Sequence, residues 1–296
     1  MKTSSILIIT VAITILISAL SIQLTPSRQD FSNDNVSWSG LGDWSSSTTT
    51  VNIDTASLDT STTLPQDNIM LVIPEIPYHE TELAQIKDFV SRGGTLVLMD
   101  DYGYGNDILG YFNLSARFTS KTVLDPLFCY KNPALPRISD FSPAVSKSGI
   151  KSVVLNHATS LTGVATADVL AWSSKDSFLD SNNNDQNKGP FPVAARLMFD
   201  KGTIILFTDP SIMINSMINL EDNSAMVHYL IQSSAEQPPS ILLDNTHMEE
   251  STLDKSKAAL HTIREFLTAP YPLLALIAII FILVYRYGFK KGEILG

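Results

Sequence analysis

Two long apolar runs, one near each end of the chain, constrain its architecture more than any other feature. The first extends from Ile6 to Leu20 and the second from Leu273 to Tyr285. A helix needs about 20 apolar residues to cross the hydrocarbon core of a bilayer. With their flanking residues, segments 1–24 and 269–287 approach that length. The sequence therefore predicts a folded domain held between two transmembrane segments.

The first segment has two interpretations, and the sequence leaves both open. Ser18, Ala19 and Ser21 are small residues of the kind found at signal-peptide cleavage sites, which favours a cleaved signal peptide over residues 1–24. Extended to Leu24, the same run has nearly the length of a spanning helix, which favours an uncleaved signal anchor.

The second segment carries an orientation signal. Arg286, Lys290 and Lys291 follow the apolar run, and basic residues accumulate on the cytoplasmic side of membrane segments. The sequence therefore predicts a protein of the cell membrane whose main domain is extracytoplasmic and whose carboxyl tail, residues 288–296, is basic and cytoplasmic. The expected partners are the lipid bilayer and other proteins of a membrane complex.

Charge, sequons and cysteine usage describe the expected surroundings of the domain. The chain has 30 acidic and 20 basic side chains, a formal net charge of −10. Such a chain repels phosphate backbones, so no nucleic-acid partner is expected. Asn35 and Asn113 each begin an N-glycosylation acceptor tripeptide and are candidate modification sites. The single cysteine, Cys129, excludes an intrachain disulfide, so the domain depends on its apolar core.

Between the apolar runs, residues 27–246 carry the pattern of one α/β domain. Residues 68–73 and 95–99 are short continuous apolar runs, typical of strands that are buried on both faces. Residues 80–91 place apolar side chains at helical spacing, with Thr81 near the expected start, and Gly93 follows the helix. Strand, helix and strand in this order predict a βαβ unit with a right-handed crossover.

The second half of the domain is less regular. Four prolines between residues 117 and 145 predict a β-rich insertion rather than a layer of the core. Residues 193–199 and 203–207 predict the two strands of a hairpin. Gly202 lies in the short turn between these strands, where we expect it to adopt a positive φ.

Two further helices and one loop complete the prediction. Residues 222–231 predict a helix capped by Asp222, and residues 248–268 predict a membrane-proximal helix. Residues 180–189 contain four asparagines and no apolar side chain, and they predict an exposed loop.

Polar residues gather where the predicted strands end. Open parallel sheets bind ligands beyond the carboxyl ends of their strands. The residues at these positions are Glu75, His79, Asp100, Asp101, His157 and Asp209. Carboxylates at such an edge can hold a hard cation such as Ca²⁺ or Mg²⁺, but aspartate is also common as a plain turn residue. The sequence therefore identifies an acidic edge without assigning a metal to it.

Three common catalytic or nucleotide-binding patterns do not fit the sequence. Gly103 and Gly105 follow a predicted strand, but Ile108 stands where a dinucleotide fingerprint has its third glycine. Cys129 lacks the small neighbours of a nucleophile on a tight strand-to-helix turn, and no serine lies in a Gly-x-Ser-x-Gly setting. The five histidines do not pair at metal-ligand spacing. No cofactor and no catalytic residue are predicted.

Several motifs resemble an uncharacterised prokaryotic membrane family that is common in archaea. The resemblance covers roughly residues 30–245 and is carried by segments 73–109, 117–136 and 202–230. Its motifs are Gly93-Gly94, Asp100-Asp101-Tyr102-Gly103, Gly105-Asn106, Asp209-Pro210 and Asp222-Asn223. The fold of that family is related to class I glutamine amidotransferases and to the GIFT-type domain of intraflagellar transport and gliding-motility proteins. The resemblance implies an α/β domain with a doubly wound, flavodoxin-like sheet and the β-rich insertion.

The resemblance also bears on function. It implies no amidotransferase activity, because the elbow cysteine and the His-Glu pair are absent. The expected function is a non-catalytic binding or scaffold module on the outer membrane surface. The candidate ligand-binding residues are Asp100, Asp101, Asn106, Asp209 and Asn223. The alternatives are a metal-dependent hydrolase or ligand sensor that uses the acidic edge, and an accessory component of a membrane transport or ATPase-associated complex.

Overall fold

The computed structural model describes residues 3–46, 48–55, 68–180, 188–231 and 241–288. The chain divides into two compact units. One is Arg28–Glu249, and the other combines Met1–Ser27 with Glu250–Gly296.

The secondary structure of the described residues is as follows. The strands are β1 (Thr50–Ile53), β2 (Ile69–Val72), β3 (Thr95–Met99), β4 (Arg117–Phe118), β5 (Val123–Leu124), β6 (Arg137–Ile138), β7 (Asp140–Phe141), β8 (Val153–Val154), β9 (Leu161–Thr162), β10 (Val169–Trp172), β11 (Phe178–Leu179), β12 (Pro192–Phe199), β13 (Gly202–Phe207) and β14 (Ile241–Asp244). The α-helices are α1 (Thr3–Leu24), α2 (Gly42–Ser45), α3 (Glu80–Ser91), α4 (Gly105–Tyr111), α5 (Pro143–Lys147), α6 (Asn223–Leu230), α7 (Thr252–Thr268) and α8 (Pro270–Gly288).

The unit Arg28–Glu249 is built on an eight-stranded sheet with the order β1-β14-β2-β3-β13-β12-β10-β7. The strands from β1 to β13 in this order are parallel to one another. Strands β12, β10 and β7 continue the sheet in antiparallel pairs. The predicted α/β class is therefore confirmed as a mixed fold around a large, mostly parallel central sheet.

Apolar side chains cover both faces of this sheet. On β3, Val97 and Met99 belong to one buried cluster, whereas Leu96 and Leu98 belong to the other, because successive side chains of a strand point to opposite faces. Helices α2, α5 and α6 contribute to the first cluster, and α3 and α4 contribute to the second. Burial of each such large side chain stabilises the fold by about 1.5–3 kcal/mol.

The predicted βαβ unit is present as β2, α3 and β3, with the two strands parallel and adjacent. The helix begins at Glu80, one residue before Thr81. His79 is its N-cap, and its backbone N–H donates to the Glu82 carboxylate at 2.7 Å. Gly93 has a φ of 117°, which favours glycine, and so ends the helix as expected.

The predicted hairpin is formed by β12 and β13, but its glycine has a different role. The positive φ in the turn belongs to Asp200, at 49°, and not to Gly202. At Gly202 a Cβ atom would lie 2.1 Å from the Val90 carbonyl oxygen. Gly202 is therefore required by the close approach of the α3 backbone.

The segment 117–145 is an insertion only in part. Strands β4, β5 and β6 pair with β9, β11 and β8 in small two-stranded sheets. Strand β7, however, extends the central sheet, and Ile138 and Val145 lie in its core. The prediction of an insertion rather than a layer of the core was therefore wrong for β7, which is too short to show a strand period.

Helix α6 confirms the helix predicted over residues 222–231, but the Asp222 side chain does not cap it as predicted. Asp222 is the N-cap residue, but its side chain makes no bond to the helix. Its carboxylate instead accepts hydrogen bonds from the backbone N–H groups of Lys151 and Ser152, at 2.8 and 3.2 Å. Asp222 therefore joins the helix to the chain before β8.

The second unit contains the apolar helices. Within the described residues, no single helix is long and apolar enough to cross a membrane. Thr252–Thr268 and Pro270–Ile282 reach that length and hydropathy only as a pair, bent by 66° at the break, and Ile9–Leu24 is a shorter apolar helix. The two predicted transmembrane segments therefore remain predictions. Lys290 and Lys291 of the predicted tail, and residues 181–187 of the predicted loop, lie outside the described residues.

Candidate functional site

The carboxyl ends of β2, β3 and β13 meet at one edge of the sheet. The strands are neighbours in parallel register, so Val72 lies beside Leu98, and Met99 lies beside Phe207. The acidic residues that follow these strands therefore share this edge, as predicted for parallel strands. We call Glu75, Asp100, Asp101 and Asp209 the acidic edge.

Asp100 organises the turn that follows β3. Its two carboxylate oxygens accept hydrogen bonds from the backbone N–H groups of Gly103 and Gly105, at 2.7 and 2.8 Å. A Cβ atom at Gly103 would lie 2.3 Å from the Pro74 carbonyl oxygen. One at Gly105 would lie 2.6 Å from the Asp100 carboxylate. The two glycines thus serve a backbone turn around a carboxylate rather than a phosphate.

Asp209 has a similar structural role at the end of β13. It is fully buried, and its carboxylate accepts hydrogen bonds from the backbone N–H groups of Asn156 and Ser211, at 2.6 and 2.9 Å. These bonds fix the chain after β8 against the sheet edge. In this way they bring His157, which follows a strand outside the central sheet, next to the acidic edge.

Asp101 and Tyr102 lie in the same region, where Asp101 is half-buried and Tyr102 is exposed. One oxygen of Asp101 accepts from the backbone N–H of Tyr102 at 2.7 Å. The Tyr102 hydroxyl donates to the His157 carbonyl oxygen at 2.7 Å and lies 2.6 Å from the Thr122 hydroxyl. The tyrosine ring is thereby held in place although 47% of the residue is exposed.

Burial raises the pKa of every carboxyl group of the acidic edge. It raises the pKa of Asp100 to about 6 against the opposing hydrogen bonds from Gly103 and Gly105, and the charge of Asp101 adds to the rise. Burial also raises the pKa of Asp101, while the charge of His157 lowers it.

The two remaining groups of the acidic edge behave in the same way. Burial raises the pKa of Asp209 well above its ordinary value, and the charge of Asp101 contributes to that rise. Burial raises the pKa of Glu75 to about 7, helped by the charges of Asp30, Glu249 and Asp101. Asp101 therefore interacts electrostatically with the other three carboxyl groups.

Three other residues from the sequence analysis have roles away from this edge. Asn106 bonds to both backbone groups of Phe118, and Asn223 is buried with three backbone partners on Val154 and Met217. His79 caps α3 through its backbone. The side chains of Asn106 and Asn223 thus join segments of the domain.

A second polar cluster was missed by sequence reasoning. The His247 ring lies between two carboxylates, with Nδ1 2.9 Å from Asp244 and Nε2 3.3 Å from Glu82. All three residues are buried. The Tyr78 ring stacks on the imidazole at a centroid distance of 3.5 Å, and its hydroxyl donates to Asp244. Thr55 approaches His247 from the end of β1. We call these residues the histidine cluster.

The histidine cluster favours a protonated His247. Burial lowers the pKa of His247, but the hydrogen bond and charge of Asp244 and the charge of Glu82 outweigh it, so the pKa is raised. Burial raises the pKa of Asp244, but the hydrogen bonds from His247 and Tyr78 outweigh this effect, so the pKa of Asp244 is lowered. The sequence signal was Asp244-x-x-His247 at the end of a strand, but Glu82 is 165 residues away.

The acidic edge and the histidine cluster both contain side chains of the types that bind metal ions. In the ranges that the structure describes, no three His, Cys, Asp or Glu side chains are arranged to hold a metal ion. The oxygens of Asp100 and Asp209 already accept backbone hydrogen bonds, which agrees with that finding.

The two sequons differ in accessibility. Asn35 is fully buried, and its side chain donates to the Gln29 carbonyl oxygen and accepts from the Ser37 N–H, at 2.9 and 2.8 Å. Asn113 is exposed and has a positive φ of 57° after α4.

If the domain passes through a glycosylating compartment, we expect folded molecules to carry a glycan on Asn113 and none on Asn35. A glycan on Asn35 would remove its buried hydrogen bonds and prevent closure of that turn. Mass spectrometry of the purified folded protein from a secretory host measures this. Asn113→Gln should abolish the mass increase and Ser37→Ala should leave it unchanged, and a glycan found on Asn35 in folded protein would contradict the expectation.

Comparison with known proteins gives a family but no activity. The mmIFT52 N-terminal domain is 14% identical, with 56% of this chain and 79% of that one covered and a TM-score of 0.44. A β-galactosidase from Bacillus circulans sp. alkalophilus is 13% identical, with 54% and 23% covered and a TM-score of 0.32.

The GH42 β-galactosidase Gan42B is 14% identical, with 55% and 21% covered and a TM-score of 0.29. This chain thus spans about a quarter or less of the two galactosidases. These TM-scores are too low to establish a common fold. No curated protein matches the chain. Residues 33–231 match the family described as "Domain of unknown function (DUF4350)", and the chain belongs to that family.

Proposed function

We propose that the protein is a membrane-attached binding or scaffold protein that captures a positively charged segment of a partner at its acidic edge. The observation that carries this proposal is a group of neighbouring carboxyl groups that have no lysine or arginine partner among the described residues. Four carboxyl groups with raised pKa values lie together. None of them forms an ion pair with a lysine or arginine in the described part of the chain.

A cationic group from a partner would relieve this electrostatic crowding. Burial disfavours the ionised forms of Glu75, Asp100 and Asp101, and repulsion by Asp101 adds to this effect at Glu75 and Asp100. An ammonium or guanidinium group nearby favours those ionised forms and is attracted by them in return. Asp101 and Glu75 are the accessible members, since both are only half-buried, and one oxygen of Asp101 accepts the hydrogen bond from Tyr102.

Two tyrosines give the same edge a second means of holding a cation. Tyr102 and Tyr104 flank Gly103 and are 47% and 41% exposed. The face of an aromatic ring attracts lysine and arginine side chains, and the contact is worth about 0.5–1 kcal/mol at exposed sites. The hydrogen bonds of the Tyr102 hydroxyl hold its ring in place before a partner arrives, which lowers the entropy lost on binding.

The full chain in detergent should bind a fluorescent oligolysine peptide more tightly at pH 8 than at pH 5. Asp100 and Glu75, with pKa values of about 6 and 7, are charged at pH 8 and neutral at pH 5. Asp101→Asn should weaken binding at pH 8 about fivefold, because an exposed ion pair contributes up to about 1 kcal/mol. Fluorescence anisotropy measures both effects.

Asp200→Asn is the matched control for this experiment. Asp200 is exposed in the hairpin turn at the opposite end of β13, and the change removes the same charge. Equal weakening by both variants would mean that only net charge matters, and binding that is tighter at pH 5 would contradict the proposal. Thermal stabilisation of the chain by Ca²⁺ or Mg²⁺ that Asp101→Asn abolishes would favour the alternative of a metal-dependent hydrolase or sensor.

We also propose that the unit Arg28–Glu249 is extracytoplasmic and related to the amidotransferase-like fold of archaeal membrane proteins. Support comes from the apolar helix Ile9–Leu24, the apolar pair at the carboxyl end and the sheet covered on both faces. The full-length protein should stay with membranes after an alkaline wash, and external protease should digest this unit in intact cells. Recovery in the supernatant would exclude membrane attachment.

A further inference from the structure

An exposed apolar loop tip lies outside both the acidic edge and the histidine cluster. In residues 126–133, Leu127 and Phe128 are 68% and 50% exposed, and Tyr130 is 36% exposed. Single apolar side chains on a surface are ordinary, but several together on one projecting loop indicate an interaction surface. We call residues 126–133 the loop tip.

The loop tip is held in a defined conformation by a buried carboxylate. Asp125 is fully buried, and it accepts hydrogen bonds from the backbone N–H groups of Leu127 and Phe128, at 3.0 and 2.7 Å. Its other oxygen accepts from the Ser174 hydroxyl at 2.5 Å. A buried carboxylate is costly unless its partners are in place, so these bonds specify how Leu127 and Phe128 are presented.

Backbone pairing across the loop adds to this rigidity. The Arg137 N–H donates to the Phe128 carbonyl oxygen at 2.8 Å, and the Tyr130 N–H donates to the Leu135 carbonyl oxygen at 2.9 Å. The Asp125 N–H donates to the Pro133 carbonyl oxygen at 2.9 Å. The apolar side chains therefore project from a closed, hydrogen-bonded hairpin.

The chemistry of the loop tip fits a lipid surface better than a protein groove. A stable protein interface buries about 800 Å² on each partner, far more than three side chains supply. A bilayer needs only a few inserted apolar side chains when the protein is already tethered to it, because tethering raises the effective concentration. Tyr130 and Lys131 are the residue types that lie at the headgroup level, and the Lys131 Nζ is 4.9 Å from the Tyr130 ring centroid.

We propose that the loop tip inserts Leu127 and Phe128 into the outer surface of the membrane, with Tyr130 and Lys131 among the headgroups. Lys131 is exposed at this tip of a chain whose net charge is −10, and it suits an anionic headgroup. The proposal rests on the membrane attachment proposed above. It is independent of ligand capture at the acidic edge.

The single native cysteine makes the proposal directly testable in the full chain. Cys129→Ser removes it, and Phe128→Cys or Leu127→Cys then places one spin label at the loop tip. The labelled chain is reconstituted into vesicles of phosphatidylcholine with phosphatidylglycerol and recovered by flotation. Collision of the label with oxygen, which concentrates in hydrocarbon, and with a water-soluble nickel complex reports its depth.

Met198→Cys in the same background is the matched control, because Met198 is an apolar residue on β12 that is 72% exposed. We expect labels at positions 127 and 128 to collide more with oxygen and less with nickel than the label at position 198. Lys131→Gln should reduce this difference in anionic vesicles only.

Three outcomes would overturn the proposal. If the chain floats with the vesicles but labels at 127 and 128 are as accessible to nickel as the control, the loop tip does not insert. Protection that appears only after detergent-solubilised membrane proteins are added would identify a protein partner instead of lipid. If the chain does not float with the vesicles, membrane attachment and loop insertion both fail.

Discussion

Replacing His247 with phenylalanine is expected to lower the free energy of unfolding of the unit Arg28–Glu249 by about 3–5 kcal/mol. Phenylalanine keeps a ring against Tyr78, where the native rings stack at 3.5 Å. It removes both N–H donors, and Asp244 and Glu82 then remain buried without a compensating charge. Chemical denaturation of the full chain in detergent, followed by tryptophan fluorescence, measures the change.

The matched control is His228→Phe. His228 lies exposed on α6, and among the described residues its ring bonds to the Ser224 carbonyl oxygen of the same helix. That change should alter stability by less than about 0.5 kcal/mol. A His247→Phe variant that is as stable as the control would show that the histidine cluster does not hold the end of β14 to α3.

The same cluster predicts the pH dependence of stability. The raised pKa of His247 stabilises the fold below the ordinary value of 6.5, and this contribution is lost as pH rises through the folded-state pKa. The lowered pKa of Asp244 stabilises the fold above 3.8 and is lost as pH falls. The pair therefore contributes fully between these two values.

The acidic edge acts in the same direction. The pKa values of about 6 for Asp100 and about 7 for Glu75 lie above the ordinary 3.8 and 4.5, so stability falls as pH rises between these limits. We expect the wild-type chain to melt at a higher temperature at pH 5.5 than at pH 8. His247→Phe should reduce this difference. Higher stability at pH 8 than at pH 5.5 would contradict both assignments.

Replacing Asn223 with alanine is expected to lower the free energy of unfolding by about 3–4 kcal/mol, since each buried polar group left unpaired costs about 1–3 kcal/mol. Its side chain accepts from the Val154 N–H and donates to the carbonyl oxygens of Val154 and Met217, at 2.8, 3.0 and 2.9 Å. Alanine leaves the N–H and carbonyl groups of Val154 without this partner, and the Met217 carbonyl oxygen keeps only its hydrogen bond from the Leu220 N–H, at 2.9 Å. The same denaturation measurement applies.

Asn219→Ala is the control for this substitution, because Asn219 is exposed four residues before Asn223 and its side chain makes one long contact of 3.5 Å with Asp43. We expect almost no effect there. A loss of less than about 1 kcal/mol at Asn223 would mean that its hydrogen bonds are replaced by water. Loss of partner binding with unchanged stability would restore Asn223 as a ligand-binding residue.

Elements whose signal is local could be predicted from the order of the amino acids. The strand at Ile69–Val72, the helix at Glu80–Ser91 and the strand at Thr95–Met99 were predicted almost to the residue. Apolar periodicity and the Gly93-Gly94 stop are properties of neighbouring residues, so they are readable without any tertiary contact. The position of the acidic edge could also be predicted from the sequence, because parallel strands bring their carboxyl ends to the same side of a sheet.

The roles of the individual polar residues became clear from the folded domain. Asp100 and Asp209 bind backbone N–H groups, and Asn223 joins two segments 69 residues apart. His247 meets Glu82 across 165 residues. A hydrogen bond between distant segments depends on how strands and loops pack in space, and no periodicity along the chain encodes that distance. Asn223 was therefore a candidate ligand-binding residue in the sequence, whereas in the fold its side chain has a structural role.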